Sequence, residues 1–377
     1  MEGAGQGDTA RGVRYPDLDA EVWPDTLPDG LAGVLERAYG HFASSLDYLT
    51  RFADLPPRGC CLVGTPPRQA LVFALQGRTV RVLNEAFTIP PDDARRACLA
   101  LLRAFPRAAR VRLEVRFPAA DLGLPLRPLA PTYTMVVPLG EGVEAYETRL
   151  GRRTRHNLRY SERRLRRAAG EVSVATVPAG PAAQALVPTL VEWKLARFRA
   201  RGRTTYWERR PDLVDALVDL VGRRGEVLVT SADGRPVALR FLFPYAGAVC
   251  SLESGFDPAW AEFRLGSLTL YWAVRAAAAA GAREFQLLWG TPEYKEHLGA
   301  ERVPATHVSV YRSRAALLAR GLDEAATLAW RRARDVNAHW WRARHAARRL
   351  AALLTGGRLP ARGDDGTTAG GDGHGRR

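Results

Sequence analysis

The stretch Ser251–Glu301 decides the fold of this chain and reads SLESGFDPAWAEFRLGSLTLYWAVRAAAAAGAREFQLLWGTPEYKEHLGAE. An apolar run predicts a strand over Ala248–Ser254 at its start. Gly266–Ala280 has the spacing of a helix, and Gly281 supplies its stop signal. A second strand is predicted over Arg283–Trp289. The stretch therefore contains a strand–helix–strand unit, a pattern of proteins that cover a sheet with helices.

The rest of the second half extends this unit on both sides. Asp233-Gly234 is a strong hairpin signal, and Pro236–Phe243 after it alternates apolar residues on one face. From residue 172 onward the predicted order is strand, helix, helix, three meandering strands, helix, strand, helix, strand. The other predicted elements are strands at 172–177, 226–231 and 307–311 and helices at 182–201, 211–223 and 292–298.

The first half of the chain repeats part of that order. Helical spacing over Leu31–Arg51 is followed by three short apolar runs, and Asp92–Phe105 is a second predicted helix behind Pro90-Pro91. The predicted strands lie at 60–63, 70–75, 79–83, 110–116 and 133–139. No sequence repeat of fixed period is visible. The order alone indicates two related halves, the first of them degenerate.

These patterns divide the chain into five segments. Residues 1–28 are rich in Gly, Asp and Pro and are predicted to form a flexible arm. Residues 29–143 are predicted to form an N-terminal domain, and residues 144–312 a C-terminal domain. Residues 313–354 are predicted to be a basic helical tail, and the Gly-rich residues 355–377 to be disordered.

The charge of the chain narrows the class of partner. A formal net charge of +15 favours anionic partners: the phosphates of a cofactor, nucleic acid or anionic lipid. Much of the charge lies in a helix predicted over Val143–Ala169, which is rich in arginine. Such a helix binds tRNA or another nucleic acid through phosphates in one interpretation, and is a solvated face in the other.

Cysteine usage and hydropathy exclude several classes of protein. The four cysteines have no C-x-x-C spacing, so we expect buried reduced thiols and no metal site. They are Cys60, Cys61, Cys98 and Cys250. The first residues lack the apolar segment of a secretory signal, and no uncharged run is long enough to span a membrane. We therefore expect a cytoplasmic enzyme.

An ordered set of short motifs runs from about Glu144 to Leu298. The motifs are Arg155-His156-Asn157-Leu158-Arg159, the hairpin Asp233-Gly234-Arg235-Pro236-Val237-Ala238, Gly255-Phe256-Asp257-Pro258, Gly266, Trp289-Gly290 and Tyr294-Lys295. The set resembles the GNAT acetyltransferase superfamily, in the branch of the cellulose-biosynthesis (CelD-like) and Fem-related transferases. This resemblance implies an α+β, tandem GNAT-like fold and an N-acyltransferase in which an amine attacks the acyl group directly. Two positions depart from the family pattern: Gln286, where Asp is usual, and Trp289, where Arg is usual.

The resemblance also implies where a cosubstrate binds. Acetyl-CoA or another acyl-CoA would enter between the predicted strands Ala248–Ser254 and Arg283–Trp289, which part in this fold. Its pyrophosphate would lie at the start of the intervening helix, at Leu265, Gly266 and Ser267, where free N–H groups and the helix dipole favour an anion. Arg264 would add positive charge. In the alternative interpretation, Gly266 starts an ordinary packed helix.

Candidate catalytic residues flank that helix. Glu253 at the end of the first strand would act as general base, whereas Asp257 before a proline is expected to cap a turn. By the resemblance, Tyr294 would protonate the departing thiolate, and Lys295 would bind a phosphate or an acidic acceptor. In the alternative, Tyr294 and Lys295 belong to an ordinary amphipathic helix.

Further aromatic and basic residues point to the acceptor. Five of them lie where GNAT enzymes shape the site for a small-molecule or peptidyl amine: Trp193, Lys194, Phe198, Tyr206 and Trp207. Helical spacing makes core packing the alternative. The tail, with tryptophans and arginines, would lie on an anionic membrane or dock on the protein. Two rivals to the acyl-CoA function stay open: a Fem-type enzyme using aminoacyl-tRNA, and a non-catalytic GNAT-fold binding module.

Overall fold

The structure is a computed structural model that describes residues 12–319 except 201, 203 and 290–292. Residues up to Val310 form one compact unit and those from Tyr311 a second, in which 314–319 are helical. The strands are β1 (Val13–Tyr15), β2 (Ala20–Trp23), β3 (Gly59–Val63), β4 (Gln69–Gln76), β5 (Thr79–Val82), β6 (Arg110–Val115), β7 (Leu126–Pro138), β8 (Val172–Val177), β9 (Glu226–Ala232), β10 (Arg235–Tyr245), β11 (Ala248–Phe256), β12 (Glu284–Gln286) and β13 (Glu301–Tyr311).

Helices cover both faces of the sheet. The α-helices are α1 (Leu31–Ala38), α2 (Leu46–Arg51), α3 (Pro91–Ala104), α4 (Gly142–Arg149), α5 (Arg152–Ala169), α6 (Pro181–Gln184), α7 (Val187–Arg199), α8 (Tyr206–Arg209), α9 (Asp212–Arg224), α10 (Leu265–Ala279) and α11 (Glu293–His297). Short 3₁₀ helices occur at Pro16–Leu18, Phe42–Ser44, Ala119–Leu122 and Pro258–Phe263.

The strands form one mixed, thirteen-stranded sheet in which a single pattern occurs twice. In the first half β2, β3, β4 and β5 are antiparallel neighbours, and β6 joins β5 in parallel. In the second half β8, β9, β10 and β11 are antiparallel neighbours, and β12 joins β11 in parallel. A helix, α3 or α10, connects each parallel pair. The α+β class and the tandem arrangement predicted from element order are confirmed.

The two halves exchange their last strands. β7, which ends the first half, pairs with β12 of the second half, and β13 lies between β6 and β7. The cores follow the exchange: Met135 and Val137 of β7 pack in the second-half core, while Val308 and Val310 of β13 pack in the first-half core. Each half therefore completes the other half's core, which explains why one continuous sheet results.

The second half of the sheet is buried on both faces, and β10 shows how. Leu239, Phe241 and Phe243 pack with α7 and α9 in one core, whereas Ala238 and Leu242 pack with α10 in another. This alternation follows from the two-residue period of a strand. We call the two sides the α7 face and the α10 face, because the candidate site uses both.

Two predictions about the first half need correction, and one about the cysteines is confirmed. The segment 1–28 was expected to be a flexible arm, but β1 and β2 join the sheet within it and Val22 is fully buried. The predicted helix Leu31–Arg51 is broken at residues 39–45, where Ser45 accepts a hydrogen bond from the Tyr48 N–H and caps α2. The expected buried cysteines are confirmed as free, buried thiols.

The remaining domain assignments stay predictions. The division proposed at residue 144 falls inside α4 (Gly142–Arg149), and the sheet runs across it without interruption. The helical tail beyond residue 319 and the disordered end at 355–377 lie outside the described residues. No helix in the described part of the chain is long and apolar enough to cross a membrane.

Candidate active site

The parallel strands β11 and β12 part after three residue pairs. They are paired from Ala248 with Glu284 to Cys250 with Gln286, while β11 continues to Phe256. A register shift against β10 leaves Leu252 as an extra residue in β11, a β-bulge of the kind that bends a strand next to active sites. Leu288, with φ of 54°, turns the chain out of strand geometry just after β12. The two strands therefore separate beside the second part of β11, and we call the place where they separate the cleft.

Helix α10 begins at that cleft with free backbone donors. The N–H groups of Ser267 and Leu268 bond to the Arg264 carbonyl at 3.0 and 3.2 Å. Within the described residues, nothing accepts from the N–H groups of Leu265 and Gly266. An added Cβ at Gly266 would meet only Phe256 Cε1, at 3.7 Å. An added methyl group there would make only an ordinary van der Waals contact, so packing alone does not require glycine at this position.

Arg264 occupies a different place from the three residues after it. Its backbone is left-handed, with φ of 55°, and its side chain is exposed. Arg264 thus lies at the open side of the first turn, whereas Leu265 is buried beneath it. The structure brings the four predicted cofactor residues Arg264, Leu265, Gly266 and Ser267 together, as one helix start.

Arg240 of β10 is a site residue that the sequence analysis missed. Its guanidinium donates to Ser251 Oγ at 2.7 Å, to the Gly266 carbonyl at 3.2 Å and to Thr269 Oγ1 at 3.4 Å. The side chain is 3% exposed, and burial lowers the pKa of Arg240 to about 10. It links β11 to the first turn of α10 on the α10 face. The sequence signal was a charged residue inside the apolar run VALRFLF.

Glu253 lies on the opposite, α7 face and is held by two residues. Lys194 Nζ of α7 donates to one carboxylate oxygen and the Tyr206 hydroxyl of α8 to the other. Glu253 is 9% exposed. Burial, with the neighbouring charge of Glu253, raises the pKa of Tyr206 well above its ordinary value, so Tyr206 stays a hydrogen-bond donor. The expected base and two expected acceptor-pocket residues thus form one cluster, the Glu253 triad.

Local structure fixes the residues around the triad. A capping box orients α8, in which Thr205 Oγ1 accepts from the Glu208 N–H and Glu208 accepts from the Thr205 N–H. The ring of Trp207 lies 4.5 Å from that of Tyr206, centroid to centroid, and is buried. Of the five aromatic and basic residues predicted to shape the acceptor site, Lys194 and Tyr206 contact Glu253, and Trp207 belongs to the core.

Lys295 is buried, and its ammonium group is hydrogen-bonded within the protein. Its ammonium donates to the Leu287 carbonyl at 2.8 Å and the Trp289 carbonyl at 2.7 Å, and the side chain is 7% exposed. It stabilises the segment that follows β12. This placement does not fit the expected contact of Lys295 with a phosphate or an acidic acceptor, because the ammonium points inward.

Tyr294 lies on α11, and Asp257 follows β11 directly. Tyr294, beside Lys295 on α11, is 38% exposed, and its expected role in proton transfer stays a prediction. Asp257 Oδ1 accepts from the Ala259 N–H at 2.9 Å, which confirms the expected turn cap.

The titration of Lys295 predicts a pH-dependent stability. Burial, and after it the charge of Arg240, lower the pKa of Lys295 from 10.5 to about 8. The unfolded chain thus binds more protons between pH 8 and 10.5, so stability rises with pH in this window and is lost as pH falls through 8. We expect the free energy of unfolding of the wild type to rise relative to Lys295→Met by up to about 1.4 kcal/mol per pH unit.

Urea unfolding of both proteins at pH 7.5, 8.5 and 9.5 measures this difference. Because all other titrating groups are shared, their contributions cancel in the comparison. Parallel stability curves for the two proteins would contradict the buried ammonium.

Both lysines of the chain lie in this site. Among 55 basic residues only Lys194 and Lys295 are lysine. The other basic residues in this count are arginine. A compact lysine ammonium group therefore occurs at only two places, beside the Glu253 carboxylate and behind the cleft. The rarity of lysine is visible in the sequence, and it would have identified both residues as candidates for the site.

The corresponding place in the first half is closed. Glu114 of β6 is buried, and its Oε1 accepts from the Ala86 N–H at 2.8 Å in the segment after β5. Helix α3 begins with Pro91, which has no N–H, followed by Asp92 and Asp93, whose charges oppose an anion. The expectation that the first half is degenerate therefore has a physical basis in these residues.

Gln286 ties the two halves together. Its Oε1 accepts from the Phe42 N–H at 3.0 Å, and its Nε2 donates to the Gly40 carbonyl at 2.7 Å. The side chain is fully buried. The departure from the family's usual Asp at this position thus serves the contact with the first half, since an amide both donates and accepts.

Comparison with known proteins supports the fold. Residues 152–296 match the family described as acetyltransferase (GNAT) domain. The structure is similar to the crystal structure of FemX, with 11% identity, a TM-score of 0.53 and coverage of 77% of this chain and 96% of that one. No curated protein matches the sequence significantly. The described residues contain no group of three or more His, Cys, Asp or Glu that would hold a metal ion.

Two further solved structures are similar to this chain with lower TM-scores. One is the C-terminal domain of a lysylphosphatidylglycerol synthetase, assigned as putative, from Agrobacterium fabrum: 16% identity, TM-score 0.42, coverage of 69% of this chain and 85% of that one. The other is a tandem GNAT protein from the clavulanic acid biosynthesis pathway: 15% identity, TM-score 0.37, coverage of 74% and 92%.

Proposed function

We propose that this protein is an N-acyltransferase that moves an acyl group from acyl-CoA to an amine by direct attack. The parting of β11 and β12 carries the proposal. It opens a cleft that has the start of α10 on one face of the sheet and the buried carboxylate of Glu253 on the other. The match of residues 152–296 to a GNAT acetyltransferase family supports it.

The donor side of the cleft suits an anionic cosubstrate. The free N–H groups of Leu265 and Gly266 would hold the pyrophosphate of acyl-CoA, and Gly266 leaves room for it. When bound, acyl-CoA supplies an activated thioester. The unpaired backbone edge of β11 beyond Cys250 offers hydrogen bonds to the amides of its pantetheine arm.

The acceptor side supplies a proton acceptor. Glu253 forms an ion pair with Lys194, and this carboxylate would take the proton that an amine loses as its C–N bond forms. Tyr206 fixes the other carboxylate oxygen, so the base keeps one orientation. Tyr294 would return a proton to the sulfur as the C–S bond breaks.

A thermal-shift screen tests the function. The ligands are acetyl-CoA, longer acyl-CoAs and coenzyme A, each at saturating concentration. A ligand that binds only the folded protein raises the melting temperature. We expect a shift with at least one acyl-CoA and amine-dependent release of thiol from it. No shift with any acyl-CoA would overturn the proposal.

One observation favours a second donor, aminoacyl-tRNA. Helix α5 buries Leu158 and Leu165 and exposes a stripe of basic residues at helical spacing. The stripe consists of Arg152, His156, Arg159, Arg163 and Arg167, and none of them forms an ion pair or hydrogen bond with the described residues. Tyr160, 52% exposed, lies beside the stripe and offers a ring for base stacking.

Replacing three stripe residues tests the aminoacyl-tRNA donor independently of the acyl-CoA donor. The triple variant Arg152→Gln, Arg159→Gln, Arg163→Gln removes three phosphate contacts, so the slope of log affinity for tRNA against log salt should fall in magnitude by about two to three. Filter binding of a tRNA mixture at several salt concentrations measures it. The control replaces three exposed arginines elsewhere: Arg107, Arg209 and Arg235. Equal slopes for both triple variants would reject the stripe as an RNA contact.

A further inference from the structure

Arg240 is a buried cation without a carboxylate partner. Its three hydrogen bonds to described residues go to two hydroxyls and one carbonyl, and its Nε has no acceptor among those residues. No Asp or Glu in the described part of the chain forms an ion pair with it. Burying an uncompensated charge costs several kcal/mol. A packed apolar residue at this position would cost less folding free energy. Stability therefore does not explain Arg240, and we expect it to have a function.

The position of Arg240 suggests what its charge acts on. The guanidinium lies under the first turn of α10, where it holds the Gly266 carbonyl, and beside β11, where it holds Ser251. The N–H groups of Leu265 and Gly266 lie in the same turn. The helix dipole and the buried guanidinium therefore act in one direction and create positive potential at the start of α10.

Solvent access limits how Arg240 can act. Its Nε is sealed from solvent, and the side chain is only 3% exposed. Direct contact with a ligand does not fit this burial. The exposed Arg264 is the residue that reaches the ligand side of the turn. The charge of Glu253 also acts on Arg240, but that carboxylate lies on the α7 face and is bound by Lys194.

We propose that Arg240 is a positioning residue for the donor. It fixes the first turn of α10 and places a buried positive charge behind it, and the diphosphate of the donor compensates that charge on binding. This inference rests on the proposed acyl-CoA-dependent function. In this proposal, the positive charge that attracts the diphosphate belongs to a residue of β10 that does not contact the ligand.

Two ligands that differ in charge test the proposal. Coenzyme A carries the diphosphate, and pantetheine is its neutral fragment. In Arg240→Met we expect the Kd for coenzyme A to rise about tenfold or more and the Kd for pantetheine to stay unchanged. The unfolding midpoint in urea without ligand should stay the same or rise, because a buried unpaired charge is removed. The matched control is Arg235→Met, an exposed arginine of the same strand.

Calorimetric titration of wild type and variants gives distinct outcomes. Equal loss of affinity for both ligands, or unchanged affinity for coenzyme A, would overturn the role of Arg240 and leave the proposed function intact. Absence of coenzyme A binding by the wild type would overturn both. If Arg240→Met does not fold, Arg240→Gln replaces it, since it keeps polar groups but no charge. It is expected to show the same selective loss, and undiminished coenzyme A affinity in it would overturn the proposal.

Discussion

Replacing Glu253 by Gln is expected to lower kcat about 10²–10⁴-fold. The amide has nearly the volume of the carboxylate and still bonds to Lys194 and Tyr206, but it cannot take a proton from an amine. The KM for the acyl-CoA should change little, because the proposed donor site lies on the α10 face and Glu253 lies on the α7 face. Thiol release from acyl-CoA in the presence of the amine measures both constants.

The control for this experiment is the same substitution at an exposed site. Glu262 lies in the 3₁₀ helix before α10 and contacts Arg164 at 2.6 Å on the surface. Glu262→Gln should keep full activity. A Glu253→Gln enzyme that folds and turns over like the wild type would show that Glu253 is an ordinary ion-pair partner of Lys194 and not a base.

Replacing Gly266 by Ala is expected to weaken donor binding without harming the fold. The new methyl group meets only Phe256, at 3.7 Å, an ordinary van der Waals distance. The free energy of unfolding should stay unchanged or rise by up to about 1 kcal/mol, because Gly is a poor helix residue. The methyl group would keep a diphosphate from the two free N–H groups. Losing one charge-assisted hydrogen bond raises the Kd about tenfold to a hundredfold.

Calorimetric titration of coenzyme A into both proteins measures the effect. Gly140→Ala is the matched control, since nothing lies within 4 Å of an added methyl group there and the residue is exposed. A Gly266→Ala protein that is destabilised and binds coenzyme A normally would mean that Gly266 serves only packing. We expect the opposite result, a Gly266→Ala protein that is stable and binds coenzyme A weakly.

The local patterns were sufficient for much of the fold. Helix α10 was predicted over Gly266–Ala280 and spans Leu265–Ala279, because its apolar period and the glycine after it are both strong signals. The Asp233-Gly234 turn joins β9 and β10 as predicted. Short elements whose stability comes from distant packing were missed. β2 is one of these, since Val22 is buried against residues much later in the chain.

The exchange of β7 and β13 was beyond sequence analysis for a related reason. Both strands have ordinary apolar patterns, and nothing in their sequences says which half will pair with them. Their predicted extents were also too short: Tyr133–Leu139 became Leu126–Pro138, and His307–Tyr311 became Glu301–Tyr311. Cross-strand pairing in the completed sheet, not local propensity, sets where these strands begin.

The candidate site was predicted in part. Glu253 and the start of α10 were identified from position and family resemblance. That Lys194 and Tyr206 hold Glu253 required the fold, because they lie 59 and 47 residues away along the chain. Lys295 was identified as a site residue, but its predicted contact with a phosphate or an acidic acceptor does not fit its buried hydrogen bonds. Arg240 was passed over because single arginines carry little information in a chain so rich in them.

A crystal structure of the protein grown with saturating coenzyme A tests the central claim most directly. The account predicts the pantetheine arm between β11 and β12, with the pyrophosphate within hydrogen-bond distance of the Leu265 and Gly266 N–H groups. The thiol should lie near the bulge at Leu252, toward Glu253. Coenzyme A bound elsewhere, or a cleft that stays closed to it at concentrations that saturate binding in solution, would contradict the account.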